Sequence, residues 1–278
     1  MKALLILLLC LPTWVSAETG HRKAAKKNLQ HTLKAIDSHY PFKSSTSRVN
    51  SIIDGDTVVL EDKRRLQLTS IYAPEVKSYS KIAEGSSQKW LAEQLLNHKV
   101  FLEFDRKKIN KSDKISAYVF TENNEFVNLQ LVKKGLAFVK IEPPNLRYAA
   151  ALIEAQNEAE QFRRGLWQLP EFAPITVEAA VLAEHLSGDS PRLGFMRPNN
   201  HLWSRVVGKI ISIQRTHKTI SLVFSDQFSA RLDKEWQFLF PNLETYINQY
   251  VEIRGRVIGT PKKAIMPILH PSAIIIIH

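Results

Sequence analysis

The chain has 278 residues, 44% hydrophobic and 23% charged, proportions that exclude a disordered or collagen-like polymer. Its 38 Lys+Arg against 27 Asp+Glu give a formal net charge of +11, which favours polyanionic partners and says nothing about fold. The single cysteine, Cys10, and nine scattered histidines without an HExxH pattern exclude disulfide frameworks, cysteine nucleophiles and histidine-built zinc centres.

Residues 1–17 are expected to be a signal peptide. Lys2 precedes an apolar run from Ala3 to Leu11 that is too short to span a bilayer. Pro12 breaks the run, and Val15-Ser16-Ala17 places small residues where a signal peptidase cuts. Cleavage after Ala17 predicts a mature chain that is periplasmic or secreted. Residues 18–48 carry seven basic and two acidic side chains. Ala25, Leu29, Leu33 and Ile36 recur at helical spacing there, so a basic lead-in helix is expected, followed by a linker through Pro41 and the serines 44–47.

Residues 49–168 read as strands followed by helices. Strands are predicted at 49–53, 57–60 and 65–71, joined by Asp54-Gly55-Asp56 and Glu61-Asp62-Lys63 turns. A helix at 82–97 presents Trp90, Leu91 and Leu95 on one face, and strands follow at 100–104 and 117–121. Helices at 127–134 and 147–163 stop at Gly135 and Gly165. This order predicts an α+β domain rather than a doubly wound sheet.

Residues 169–204 contain Pro170, Pro174, Pro191 and Pro198 and read as a linker with one short helix at 177–186. Residues 205–278 carry ten basic and five acidic side chains. Strands at 205–213, 219–224 and 228–232, a helix at 234–247, a strand at 250–258 and closing strands near Ile265 and Ile274 follow the order of a small OB-like β-barrel. Ile274 to Ile277 do not alternate, so a strand buried on both faces is expected. Phe224, Phe228, Trp236, Phe238 and Phe240 are core residues or stacking platforms for bases. Arg254, Arg256, Lys262 and Lys263 form either a track for a phosphate backbone or a charged solvated edge.

Two segments carry chemistry. Asp54-Gly55-Asp56-Thr57 is a hairpin turn by its residue types. The strand that follows ends in Ala73-Pro74-Glu75, which brings three carboxylates towards one cleft, and clustered oxygens are what calcium requires. With Leu131-Val132-Lys133-Lys134-Gly135-Leu136-Ala137 and the stretch from Glu154-Ala155-Gln156 to Gly165-Leu166-Trp167, residues 49–168 resemble the staphylococcal nuclease (thermonuclease) family.

The resemblance implies a five-stranded OB-type barrel flanked by three helices, and calcium-assisted, endonuclease-type hydrolysis of phosphodiesters in nucleic acid. It implies Glu75 as the general base, Asp56 as a direct calcium ligand, Asp54 as an outer-shell aspartate and Ala73 as a backbone carbonyl ligand. Tyr72 stands where the second calcium aspartate belongs, and Gln67 where the first catalytic arginine belongs. The loop 113–118 is shortened and lacks the second arginine.

Losing one preorganised donor costs on the order of 10²–10³ in rate. Arg65, two residues before Gln67 on the same strand face, and Lys107, Lys108, Lys111 and Lys114 are the substitutes for phosphate contact, although lysine lacks the planar fork of arginine. Calcium binding is therefore expected to be weak or absent, and hydrolysis greatly reduced or lost. The competing expectations are a non-catalytic binder of nucleic acid or another polyanion, and a structural protein of the cell envelope.

Overall fold

A computed structural model describes residues 45–74, 86–110, 114–188, 203–260 and 262–277, with 86 and 183–188 described by backbone alone. The expected signal peptide, the lead-in helix, Glu75, Lys111 and the start of the helix expected at 82 lie outside these residues.

Five strands close a barrel in the order β1, β2, β3, β6, β5. They are β1 (Ser45–Ile52), β2 (Thr57–Leu60), β3 (Arg65–Leu68), β5 (Lys99–Glu103) and β6 (Ile115–Thr121). β3 and β6 run parallel and the other pairs antiparallel. Alternation explains the closure: Val49, Val58, Leu60, Leu66, Leu68, Val100, Leu102, Ala117 and Val119 are all buried, one face of every strand. The serines expected in a linker instead begin β1, because Ser45 to Ser47 pair with Leu102 to Val100 and seal the barrel.

The strand expected at 65–71 is broken. Ser70 adopts φ 63°, which turns the chain out of the barrel. The next two residues form β4 (Ile71–Tyr72), paired with β7 (Phe138–Val139), a strand too short to announce itself in the sequence. Three helices flank the barrel: α1 (Ser86–Leu95), α2 (Val127–Lys133) and α3 (Ala149–Gln161). The ends of α2 and α3 interlock through two glycines. Gly135 has φ +70° and a Cβ there would lie 2.1 Å from the Arg164 carbonyl, while a Cβ on Gly165 would lie 2.4 Å from the Gly135 carbonyl. Only glycine fits either place.

The stretch expected as a linker is partly core. After two 3₁₀ turns, Gly165–Gln168 and Pro170–Phe172, it supplies β8 (Ile175–Thr176), which pairs with β9 (Trp203–Lys209), and α4 (Val177–Gly188). Val177, Ala180 and Val181 of α4 pack into the C-terminal core. That core lies between two sheets. One has the order β10 (Ser212–Arg215), β11 (Thr219–Ser225), β12 (Phe228–Asp233), β15 (Lys263–Pro267), β14 (Ile258–Thr260), and the other β16 (Ile274–Ile276), β13 (Tyr250–Arg256), β9, β8. Two residues separate β9 from β10, and Val257 alone separates β13 from β14, so both strand pairs pass from one sheet into the other.

Two expectations are corrected here. The helix expected at 234–247 is two 3₁₀ segments, Lys234–Leu239 and Leu243–Tyr246, because Pro241 between them cannot continue a helix. β16 is an edge strand with Ile276 37% exposed rather than buried on both faces. Phe224, Phe228 and Phe240 are buried core residues, whereas Phe238 is 73% exposed and lies 6.0 Å from Trp236.

The barrel and the C-terminal sheets share a buried aromatic seam. Phe138, Trp167, Phe172 and Trp203 form one cluster there, with Tyr72 packed against it. Beside it, Glu160 of α3 accepts hydrogen bonds from Arg205 (2.7 Å) and Arg254 (2.8 Å), which also bind Glu252. Both guanidinium groups lie over the Trp167 ring, at 5.4 and 5.3 Å. Arg254 is thus buried in a charge network and not on a phosphate-tracking edge.

Candidate active site

The Asp54-Gly55-Asp56 turn leaves β1 and enters β2, and it presents Asp56 to the interior, only 5% exposed. Asp54 braces the turn by accepting a hydrogen bond from the Asp56 N–H (3.0 Å). The Asp56 carboxylate then collects three donors. Its Oδ2 accepts from the Ala73 N–H (3.1 Å), and its Oδ1 from the Thr57 hydroxyl (2.9 Å) and the Gln67 amide (3.4 Å). Gln67 is oriented in turn by the Asn110 side-chain amide, which donates to its carbonyl oxygen.

Burial is the main reason that the Asp56 carboxyl is pushed up to about 6, with the nearby Asp54 charge adding to it and the three donors opposing it. A carboxylate held at such a cost gains most from a cation. The Lys114 ammonium approaches by way of a neighbour, donating to the Thr57 hydroxyl at 3.4 Å. Asn110 holds it there: the Asn110 N–H donates to the Lys114 carbonyl (3.0 Å) and the Lys114 N–H to the Asn110 side chain (3.1 Å).

The other expected site residues are less concentrated. Arg65 is exposed on β3, opposite Val59, while Gln67 stands opposite Thr57 one step nearer the carboxylate. Lys107 and Lys108 are exposed. The Lys107 backbone is tied to Asn145, and the Lys108 ammonium lies 5.3 Å from the Phe104 ring centre. Asn110 and Thr57 were not foreseen as site residues, since their roles rest on contacts between strands distant in sequence.

The described residues do not build a calcium cage. The cation wants six to eight oxygens, yet Asp56 is engaged by three protein donors and Tyr72 packs against the aromatic seam. Among the described residues no three His, Cys, Asp or Glu side chains cluster in a metal-holding group.

A family model described as staphylococcal nuclease homologue matches residues 65–169. Over 150 residues the chain is 32% identical to the thermonuclease of Staphylococcus intermedius, an alignment covering 48% of this chain and 86% of that protein. Over 145 residues it is 30% identical to the thermonuclease of Staphylococcus hyicus, covering 46% and 83%.

Proposed function

The chain belongs to the staphylococcal nuclease family, and from that premise we propose that it is an exported protein acting on nucleic acid with phosphodiester hydrolysis strongly reduced or lost. The observation that carries the reading is the Gln67 amide bonded to Asp56. At the position where the resemblance places a phosphate-gripping arginine, a neutral side chain serves the carboxylate instead. Lys114 is the nearest replacement, a point charge without the guanidinium fork. Calcium binds weakly in this reading, because Tyr72 supplies no carboxylate. Export rests on the sequence of residues 1–17 alone.

The C-terminal sheets are read as a second OB-type unit. Its support is the pairing around the core: β10 with β11, β11 with β12, β12 in parallel with β15, β15 with β14, and β13 with β9. Such a unit, with exposed Phe238 beside half-buried Trp236 and the net positive charge, favours as a second reading a protein that binds nucleic acid without cutting it.

Digestion of single-stranded DNA by the purified mature chain, with calcium and with chelator, tests the first reading; the second expects binding of the same DNA that weakens steeply with salt and no cleavage by the wild type or the variant below. The proposal expects little or no cleavage by the wild type and a gain for the double change Gln67→Arg, Lys114→Arg. Efficient calcium-dependent cleavage by the wild type, abolished in Glu75→Ala, overturns it.

A further inference from the structure

Two hydrogen-bond paths leave Lys114 and meet on one carboxylate oxygen. In the first, the Lys114 backbone N–H donates to Asn110 Oδ1 (3.1 Å), Asn110 Nδ2 donates to Gln67 Oε1, and Gln67 Nε2 donates to Asp56 Oδ1 (3.4 Å). In the second, the Lys114 ammonium donates to Thr57 Oγ1 (3.4 Å), which donates in turn to Asp56 Oδ1 (2.9 Å). The fold assembles both. Gln67 of β3 stands between Thr57 of β2 and Ser116 of β6. The hairpin that leads into β6 is closed by the Ser116 N–H on the Lys108 carbonyl (2.7 Å).

The first path has a fixed polarity. A backbone N–H donates and never accepts, so the Lys114 N–H sets Asn110 with its oxygen towards Lys114 and its nitrogen towards Gln67. That nitrogen orients the second amide: Gln67 gives its oxygen to Asn110 and its nitrogen to Asp56. Gln67 thereby presents a donor at the place where a divalent cation needs an oxygen. Asn110, Gln67 and Lys114 are half-buried and Asp56 is buried, which shields the path from water and strengthens each bond in it.

We propose that Asn110 is the positioning residue of the Asp56 site: it holds the Gln67 nitrogen on the carboxylate and so closes Asp56 to divalent cations. This cause is separate from the missing carboxylate at Tyr72. The choice of calcium as the cation rests on the family reading above, whereas the relay rests on the hydrogen bonds alone. Asn110→Asp reverses the polarity, because a carboxylate only accepts. The Lys114 N–H keeps its partner, but Gln67 then gives its nitrogen to residue 110 and turns its oxygen towards Asp56.

The test combines calorimetric titration of the full mature chain with calcium chloride and nitrogen-15 NMR of hydrogen exchange at the Gln67 side-chain amide. The wild type is expected to bind calcium weakly or not at all and to protect that amide. Asn110→Asp should bind calcium at least about tenfold more tightly, and adding Gln67→Leu should remove most of that gain. Asn110→Ala should speed exchange at the Gln67 amide about tenfold or more while the backbone amides of β2 and β3 keep their rates. General loosening of the barrel would change both. Thermal melts confirm that each variant folds.

Wild-type calcium binding as tight as that of Asn110→Asp overturns the proposal. So does a gain that survives Gln67→Leu, which would assign it to the added charge alone, and so does Gln67 exchange indifferent to Asn110→Ala. Cleavage of DNA by the wild type that needs no calcium leaves this proposal standing and overturns the proposed function.

Discussion

The indole of Trp203 lies flat on the ring of Phe138, with centroids 3.9 Å apart and planes 6° from parallel. Phe138 in turn pairs with Tyr72 across β7 and β4, and the residue after Tyr72 donates its N–H to Asp56. One short chain of contacts therefore joins β9 of the C-terminal sheets to the buried carboxylate of the barrel.

Trp203→Ala should remove about 3–5 kcal/mol of stability, the usual cost of deleting a large buried aromatic side chain. Urea denaturation followed by far-UV circular dichroism measures it. A single cooperative transition is expected for the wild type, because the stack and the Glu160 network cross the seam together. Two resolved wild-type transitions would show instead that the halves unfold separately.

Tyr72→Asp introduces the carboxylate that the resemblance implies at this position, into a site shaped for an aromatic ring. The side chain at this position packs against the aromatic cluster, so a carboxylate there loses apolar contact and is partly desolvated. A loss of about 2–4 kcal/mol is expected. Calcium should not recover it. Thermal melts with and without calcium check this, and a calcium-dependent rise in the melting temperature would show that the loop can turn the introduced carboxylate towards Asp56.

The buried Asp56 makes stability depend on pH in an unusual direction for an aspartate. Its carboxyl titrates at about 6 in the folded chain against 3.8 normally. Between those values only the folded state holds the proton, so stability falls as pH rises through this window, by on the order of 2–3 kcal/mol. Asp56→Asn should flatten the window and be more stable than wild type by about 1 kcal/mol near pH 8, the gain being limited by the donors that then face an amide. Carboxyl NMR titration gives the midpoint directly. Asp54→Asn should lower it.

Glu252 shows the opposite behaviour. Burial raises its carboxyl, but the Arg205 hydrogen bond and the Arg254 and Arg205 charges outweigh that and hold it below 4.5. Its stabilisation is therefore present above pH 4.5 and fades as pH falls through the lowered value. Glu252→Ala leaves the Arg205 and Arg254 guanidinium groups with Glu160 alone and should cost about 3 kcal/mol at neutral pH, the low end for breaking a buried pair. The gap from wild type should narrow in acid. A gap that stays constant with pH would show that lost packing, not charge, explains the cost.

Lys114→Gln should weaken binding of single-stranded DNA and reduce the slope of log K against log salt by about 0.7, the value for one phosphate contact on a single strand. Lys107→Gln, exposed on the same loop, should act by a similar or smaller amount. An unchanged slope for Lys114→Gln would remove it from the phosphate path.

The barrel was legible because its signals are local. Alternating apolar residues, the Asp54-Gly55-Asp56-Thr57 turn, and the glycines at 135 and 165 each impose their geometry within a few residues. The family resemblance followed from the same short segments. The destinations of the charged and aromatic side chains were not legible. Arg254 read as an edge cation and is buried against Glu160, 94 residues away. Lys114 read as one lysine among several, and its approach to Thr57 depends on a partner 57 residues away. Tyr72 read as a missing metal ligand and became a seam residue, because the turn at Ser70 delivers β4 to β7. Backbone turns and alternation are properties of neighbouring residues, whereas burial and charge pairing are set by surfaces that meet only when the two halves pack.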